Sequence, residues 1–466
     1  MMKNWVVALE HSIKHSLFNC QMCGQCILTY TSMRCPMNCP KGLRNGPCGG
    51  TLDGHCEVYP DRNCVWMEIR GREARGANRQ FPVPPVHAPV HRDLFGSSSY
   101  LNLLSGRDQD TRPPMAYLEL VPAPERREPV GTGRLEAALR RGEFVVTTEC
   151  HSPRTEDGLK RVHRFGRTVR GHVHAVNTTS NVGGRPTLPS RRTGAILQND
   201  YGLEAIIQCC GRDVGPAEFL SEVSATQEAG FKNLFCMTGD WNRVTPSADG
   251  GETPAEPPPS YDRYFPMDAV QMLYEARHLR ETGVSAYLPG RAQVHTLFLG
   301  GALNPASTPR EFVLARLEQK LAAGLDFVET QIITDSLSMG RFMEMLRQAH
   351  LLGRFYLIAS VPVVTNLKML DLMGTLAGVH VDSEFDRRLR TAPDMAREGV
   401  RAASDLAEEL RRLGVHGVHL MPFGATGDDI VEIASGLRAT GTAESTAARN
   451  AHVGLIQSLT TVQGLV

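Results

Sequence analysis

The segment Phe144-Val145-Val146-Thr147-Thr148-Glu149, followed by Cys150-His151-Ser152-Pro153-Arg154, decides the fold. Its run of apolar and β-branched residues predicts a buried strand that ends at a carboxylate. Seven similar runs follow, each separated from the next by helical periodicity. They span residues 172–178, 203–210, 233–240, 294–301, 327–334, 355–362 and 415–423.

Alternation of strands and helices indicates a parallel sheet, and eight such units favour a closed barrel. The competing fold, a doubly wound open sheet, usually has a glycine-rich fingerprint after its first strand, and this chain has Cys-His-Ser-Pro-Arg there. We therefore predict an α/β protein with a (β/α)8 TIM barrel over residues 134–466. A small Cys-rich metal-binding domain (1–70) and an extended linker rich in Pro, Gly and Arg (71–133) precede it.

The charge balance excludes some classes of partner. The 466 residues include 50 basic and 50 acidic side chains, so the formal net charge is zero. Generic binding to nucleic acid or to an acidic membrane surface needs a basic excess. No apolar run approaches the ~20 residues of a membrane span, and the apolar stretch near the N-terminus is too short for a signal peptide. We expect a soluble, cytoplasmic protein with no nucleic-acid or membrane partner.

Eight of the twelve cysteines lie within the first 64 residues, and this cluster predicts a metal site. Disulfides belong to oxidising compartments, so metal ligation is favoured over disulfides here. Eight thiolates match two [4Fe–4S] clusters, although two all-thiolate zinc sites, or one site of each kind, would use the same ligands. We favour iron–sulfur. The predicted metal ligands are Cys20, Cys23, Cys26, Cys35, Cys39, Cys48, Cys56 and Cys64.

Polar residues at the ends of the predicted strands are the candidates for chemistry, since barrel active sites open at the C-terminal ends of strands. Glu149 closes an apolar strand, where its pKa should rise and make it a general acid, unless it pairs with an arginine such as Arg154.

Three further kinds of side chain are candidates at the strand ends. Asp240 follows Gly239, and Gly239 permits close approach of a planar ligand. Gln331 could recognise the edge of a heterocycle or form a structural hydrogen bond. The histidines, His419 among them, have no metal-binding spacing and are interpreted as packing or surface residues.

Several of these segments together resemble the methylenetetrahydrofolate reductase family. The similar segments stand in family order at strand ends: residues 144–154, Asn177-Thr-Thr-Ser-Asn, Gln208-Cys-Cys-Gly-Arg-Asp, Thr238-Gly-Asp, Gly300-Gly-Ala-Leu-Asn-Pro and Thr330-Gln331. The part from Cys20 to Trp66 resembles the small cluster-binding domain that accompanies such reductases in some bacteria, as a separate subunit or fused.

The resemblance implies a flavin-dependent oxidoreductase that interconverts 5,10-methylenetetrahydrofolate and 5-methyltetrahydrofolate in one-carbon metabolism and methionine biosynthesis. It implies that Glu149 and Asp240 are catalytic and that Asp240 and Gln331 bind the folate. The electron donor is left open between NAD(P)H, ferredoxin and a partner redox subunit, as is a homo-oligomer. The implied flavin contacts are Asn177, Thr178, Ser180, Gln208, Thr238, Gly239, Asp240, Asn304 and Lys320.

The chain also departs from the family pattern. Gln208 and Asn304 stand where many relatives have His, Thr238 where many have Arg, and Gly300 where an aromatic residue is common. These departures leave both FAD and FMN open as the flavin. The alternative function is a non-redox folate-binding or methyl-group-handling protein whose Cys-rich part is a structural zinc module that docks a partner.

Overall fold

Eight parallel strands close into a barrel, as the sequence predicted. The computed structural model describes residues 2–75, 86–108, 130–241, 244–246, 252–254 and 264–443. The strands are β1 Val145–His151, β2 Ala175–Thr179, β3 Ala205–Cys210, β4 Asn233–Met237, β5 Phe298–Leu303, β6 Phe327–Ile332, β7 Tyr356–Val364 and β8 Gly417–Phe423. Neighbours around the barrel follow the order β1-β8-β7-β6-β5-β4-β3-β2. A short antiparallel hairpin, Val244–Pro246 with Glu252–Pro254, lies between β4 and β5 in the chain.

Helices precede the barrel and connect its strands. Those before the first strand are α1 Met2–Phe18, α2 Val65–Arg75, α3 Ser99–Leu104 and α4 Arg134–Arg140. Those that follow are α5 Leu159–Val169, α6 Ser190–Tyr201, α7 Pro216–Glu228, α8 Ala269–Thr282, α9 Arg310–Ala322, α10 Ser336–Gln348, α11 Leu367–Gly374, α12 Ser383–Arg390, α13 Met395–Arg412 and α14 Gly427–Ala443. Among the described helices, none has the length and apolar character of a membrane span.

The lower end of the barrel is closed by apolar side chains. Leu135 and Leu139 of α4 pack under the strands against Val145 and two phenylalanines. Those rings, Phe298 and Phe327, stack with centroids 4.9 Å apart. Because this end is filled, a ligand can enter the barrel only from the carboxyl ends of the strands.

The Cys-rich segment, which we define as residues 19–64, packs against the loops at the open end. Asn45 donates from its backbone and its side-chain amide to Asp268, at 3.2 and 3.0 Å. The backbone N–H of Phe265 donates to Lys41 O over 2.9 Å, and the Tyr264 hydroxyl donates to Met37 O over 2.8 Å. These contacts make the segment a lid on part of the barrel mouth.

The predicted domain boundaries stay a prediction. Helix α2 crosses the boundary predicted at residue 70. Of the predicted linker, residues 76–85 and 109–129 lie outside the described residues, and the part between them contains α3 and a 3-10 turn, Arg92–Leu94.

Candidate functional site

A large cleft opens at the carboxyl ends of the strands. Its volume is about 390 Å³, within the range of about 300–1,000 Å³ for typical small-molecule pockets. The cleft therefore has room for a small-molecule ligand. Among the residues that line it are Glu149, Asn177, Ser180, Gln208, Thr238, Gly239, Asp240, Asn304, Lys320 and Gln331.

Glu149 lies near the carboxyl end of β1 and lines the cleft. The residue is only 9% exposed, and its Oε1 lies 3.6 Å from His151 Nε2. Among the described residues no ion pair joins Glu149 to Arg154. The pairing that would have made Glu149 a structural residue is thus not found, and its carboxyl group is available to a ligand.

Gly239 and Asp240 follow β4 on another side of the same cleft. Lys41 Nζ donates to Gly239 O over 2.8 Å, and Arg212 Nη1 donates to Asp240 O over 3.2 Å. Gly239 has φ +91°, and a Cβ atom there would lie 2.3 Å from the sulfur of Cys210. Only glycine fits this turn, so the backbone can lie close to a ligand.

Two predicted ligand-binding amides already have partners within the chain. Gln331 donates from Nε2 to Ala377 O over 3.1 Å, and its Oε1 accepts from the N–H of Ile332. Asn304 Nδ2 donates to Gly49 O and Gly378 O, at 2.9 and 2.8 Å. Asn304 therefore helps hold the Cys-rich segment at the mouth, a contact that the sequence did not indicate.

Lys320 is not a solvated helix lysine. It is 6% exposed on α9, and its ammonium donates to Ala302 O. Burial lowers the pKa of Lys320 to about 7, with Arg316 adding to the effect. This side chain sits at the edge of the cleft where an anionic group of a ligand would stabilise its charge.

Thr178 is the one predicted flavin contact that does not line the cleft. Its hydroxyl donates to Ile206 O over 3.3 Å within the barrel wall. The neighbouring Asn177 and Thr179 do line the cleft, since side chains alternate between the two faces of a strand.

A buried polar cluster beneath Glu149 was missed by the sequence reasoning. Glu329 lies inside the barrel, 4% exposed, and accepts a hydrogen bond from Asn177 Nδ2. His419 Nδ1 is 3.6 Å from Glu329 Oε1 and 2.9 Å from Thr147 Oγ1. Burial raises the pKa of Glu329. The available signal was an acidic residue inside the apolar run Phe-Val-Glu-Thr-Gln, and His419 is a cleft residue as well as a packed one.

The eight N-terminal cysteines form two quartets. Cys20, Cys23, Cys26 and Cys35 line one cavity, and Cys39, Cys48, Cys56 and Cys64 line another. All twelve cysteines of the chain are free. Within the described residues, no three His, Cys, Asp or Glu side chains are placed to hold a single metal ion.

In the first quartet, the thiol of Cys35 shares a hydrogen bond with Cys20, which lowers the pKa of Cys20 to about 6 and raises that of Cys35. In the second quartet, burial raises the pKa of Cys39 and of Cys48. A thiolate is the form that binds metal, so these buried sulfurs need a cation to be stable as thiolates.

The second quartet adjoins the barrel cleft. Cys48, Lys41 and Glu57 line the quartet's cavity and the cleft alike. Lys41 and Glu57 form an ion pair of 2.5 Å whose side chains are 2% and 3% exposed, and the N–H of Trp241 donates to Glu57 over 3.3 Å. The Cys-rich segment thus contributes side chains to the wall of the barrel site.

The fold is a (β/α)8 barrel with a cleft at the carboxyl ends of its strands. Residues 134–434 match the family model of methylenetetrahydrofolate reductase. Residues 1–85 match the model described as the methylenetetrahydrofolate reductase C-terminal domain, which here stands at the N-terminus. The chain belongs to the methylenetetrahydrofolate reductase family, and the resemblance seen in the sequence is confirmed.

Solved structures show more distant similarity. An uncharacterized protein from Clostridium thermocellum that binds two copies of 5-methyl-5,6,7,8-tetrahydrofolic acid is 14% identical, with a TM-score of 0.48, and the match covers 66% of this chain and 99% of that one. An oxaloacetate acetylhydrolase is 10% identical with a TM-score of 0.36, over 63% of this chain and 81% of that one. A 2,3-dimethylmalate lyase is 13% identical with a TM-score of 0.35, over 71% and 96%. No curated protein matches the chain.

Proposed function

We propose that this protein is a flavin-dependent oxidoreductase that interconverts 5,10-methylenetetrahydrofolate and 5-methyltetrahydrofolate. The observation that carries the proposal is the placement of Glu149, a nearly buried carboxyl group in the cleft at the strand ends that forms no ion pair with an arginine of the described residues. Membership of the methylenetetrahydrofolate reductase family supports the same reaction.

Glu149 has the surroundings of a general acid. Reduction of the methylene group requires the bridge to open, and opening requires a proton on the departing folate nitrogen. The position of Glu149 in the cleft would allow transfer of a proton to that nitrogen. Asp240 faces the same cleft and would orient the folate ring, and Gln331 would do so after exchanging its bond to Ala377 for one to the ligand.

The cleft residues fit a flavin. The buried Oδ1 of Asn177 has no hydrogen-bond partner among the described residues and would accept one from a ligand, and Gly239 permits a planar ring to lie against the backbone. A bound flavin, FAD or FMN, supplies hydride-transfer chemistry. Asn304 would act indirectly, by holding the Cys-rich segment in place, and Thr178 would act indirectly, through its hydrogen bond within the barrel wall. The groups that would hold the flavin directly are Asn177, Ser180, Gln208, Thr238, Gly239, Asp240 and Lys320.

The two cysteine quartets support iron–sulfur clusters as the second cofactor. In a [4Fe–4S] cluster each thiolate binds a different iron, so the four sulfurs surround a cavity rather than converge on one point. Four cysteines around each of two cavities suit this geometry, whereas a zinc site needs all four sulfurs within bonding distance of one ion. Electrons would enter through these clusters from NAD(P)H, ferredoxin or a partner redox subunit.

Glu149→Gln tests the proposal, because it keeps the shape of the side chain and loses the proton. We expect flavin reduction by reduced methyl viologen to stay within a few-fold of wild type. Oxidation of the reduced enzyme by 5,10-methylenetetrahydrofolate should slow by at least ~100-fold, or ~2.7 kcal/mol of transition-state stabilisation. Stopped-flow absorbance measures both half-reactions.

The outcomes that contradict the proposal are distinct. An unchanged folate half-reaction in the folded variant would remove Glu149 from the mechanism. A purified wild-type protein that is colourless, holds zinc and binds neither FAD nor FMN would instead support the non-redox alternative. His151→Gln is the matched control, since it changes the neighbour of Glu149 and leaves the acid in place.

A further inference from the structure

The first cysteine quartet has a buried arginine beside it. Arg44 is 5% exposed and lines the cavity that the four cysteines of this quartet surround. Its Nη2 donates to Gln25 O over 2.9 Å, whereas its Nε is shielded from solvent and has no hydrogen-bond partner among the described residues. A buried charge is costly unless a group of opposite charge compensates it. Arg44 therefore points to an anionic occupant of the cavity.

The sulfurs of the quartet are the negative groups that act most strongly on this arginine. Burial lowers the pKa of Arg44, and the charges of Cys23, Cys26 and Cys35 oppose that shift, each more strongly than Asp268 does. Among the described residues no carboxylate forms an ion pair with Arg44. The guanidinium is thus left to the thiolates and to whatever they bind.

The other charges at the first quartet cancel each other. Glu10 of α1 lines the same cavity, and its carboxylate forms an ion pair of 2.6 Å with Lys14. Arg44 therefore leaves a net positive charge beside this quartet, within the part of the chain that the structure describes.

The second quartet also has a buried cation, but a carboxylate neutralises it. Lys41 and Glu57 both line the cavity of this quartet and form an ion pair of 2.5 Å. The thiol of Cys48 donates to Glu57 Oε2 over 3.7 Å, so the negative member of the pair lies next to the quartet. Arg62 lines the cavity as well, but its side chain is 66% exposed and solvent screens its charge. The two quartets thus differ in the net charge of their surroundings.

We propose that Arg44 is the counter-cation of the metal centre in the first quartet, and that it gives an iron–sulfur cluster there a higher reduction potential than one in the second quartet. The inference rests on the proposed function for the presence of the two clusters. A [4Fe–4S] cluster with four thiolate ligands is anionic and gains a further negative charge when it takes up one electron, so an adjacent positive charge favours its reduced form. The first electron from the donor therefore resides in the first quartet, and the cluster that adjoins the cleft is reduced last.

Redox titration of the anaerobically purified protein, followed by electron paramagnetic resonance, measures the two reduction potentials. Cys56→Ser retains only the cluster of the first quartet and Cys26→Ser only that of the second, so each signal can be assigned. We expect the higher reduction potential in Cys56→Ser.

Substitution of Arg44 tests its part in this difference. Arg44→Gln should shift the potential of the first cluster to a more negative value and leave that of the second near wild type. Arg44→Lys keeps the charge and should restore most of the shift. The matched control is Arg70→Gln: Arg70 is equally buried, but it pairs with Glu73 and lines neither quartet's cavity, so both potentials should stay near wild type.

Two results overturn the inference. One is a first-quartet potential equal to or below that of the second quartet, and the other is a first-quartet potential that does not move in Arg44→Gln. The comparison of the two cysteine variants decides the order of the potentials even if Arg44→Gln does not fold. If the potentials follow the expected order but wild-type protein binds no flavin, the proposed function fails and the role of Arg44 stands.

A zinc protein would give a different answer. Zinc without labile sulfide would overturn the clusters and, with them, the difference in potential. Retention of zinc against a chelator would then test the counter-cation alone, because a zinc ion with four thiolate ligands is also anionic. Arg44→Gln should hold zinc about 10–100-fold more weakly than Arg70→Gln, and equal retention in the two variants would overturn the role of Arg44.

Discussion

Lys41 belongs to the Cys-rich segment, and its charged side chain lines the barrel cleft. Its ammonium is enclosed by Glu57, Gly239 O and the ring of Phe265, whose centroid is 5.4 Å away. Removing one member of a buried ion pair is costly, because the remaining charge is left without compensation.

We expect Lys41→Met to lower the free energy of unfolding by about 3–5 kcal/mol. Glu57→Gln alone should also destabilise, and the double variant should recover part of the loss, because it removes both charges. Urea denaturation of the four proteins gives the coupling energy. Additive effects of the two changes would show that the pair contributes no interaction of its own.

His87 makes the protein sensitive to acid. Burial, followed by the charges of Arg44 and Arg70, lowers the pKa of His87 to about 3 from an ordinary 6.5. Below pH 6.5 the unfolded chain takes up a proton on this residue that the folded protein does not. Stability from this residue is thus fully present above pH 6.5 and is lost between pH 6.5 and about 3, by ~1.4 kcal/mol per unit.

Denaturation at pH 7 and pH 5 measures this effect. The wild-type protein should lose about 2 kcal/mol more than His87→Gln between these two values. His11→Gln, a change at an exposed position of α1, should follow the wild type. Equal losses in wild type and His87→Gln would show that the ring is protonated in the folded protein as readily as in the unfolded chain.

At the scale of elements, periodicity located the whole barrel. Each of the eight runs predicted from the sequence overlaps one barrel strand, and Gly230, Gly283, Gly324 and Gly414, which follow four of the helices, have positive φ. Strand pattern is a local property, which explains this success. The hydrogen bond of Asn304 to Gly49 joins residues 255 positions apart, and the hydrogen bond between Asn177 and Glu329 crosses the barrel. Because such contacts form only in the closed fold, no local sequence pattern predicts them.

Helix α8 and the Cys-rich segment share one side chain. Asp268 caps the helix by accepting from the N–H groups of Val270 and Gln271, and its other oxygen accepts from Asn45. Asn45 also exchanges two hydrogen bonds with the backbone of His87. One carboxylate thus fixes both the start of the helix and the position of the segment.

Asn45→Ala should separate these two functions. The helix cap stays, but buried partners of the amide are left unsatisfied, which should cost about 1–3 kcal/mol. Hydrogen exchange at the amide of Phe265, which donates to Lys41 O, should become faster. The control is Asn366→Ala, which removes the cap of α11. It should destabilise the protein without faster hydrogen exchange at the amide of Phe265. If exchange at Phe265 is unchanged in Asn45→Ala, Asn45 does not hold the Cys-rich segment.

At the scale of the molecule, the barrel and the Cys-rich segment form one composite site. Gly49 accepts from Asn304 and from Ser307 at the mouth, and Cys48 belongs to the walls of both the second quartet's cavity and the cleft. The first quartet lines no part of the cleft that the structure describes. Metal loss from the two quartets should therefore have different consequences for the barrel.

Matched cysteine variants test this asymmetry. With clusters in both quartets, anaerobically purified protein should hold about eight irons and about eight labile sulfides per chain, and Cys26→Ser or Cys56→Ser should each retain about half. Because only the second quartet adjoins the cleft, Cys56→Ser should also weaken retention of flavin, measured as flavin released on gel filtration, while Cys26→Ser should leave it near wild type. Equal flavin loss in the two variants would contradict the composite site. Two zinc ions per chain without labile sulfide would overturn the assignment of iron–sulfur clusters. Flavin retention in the two variants would then still test whether the second quartet contributes to the wall of the cleft.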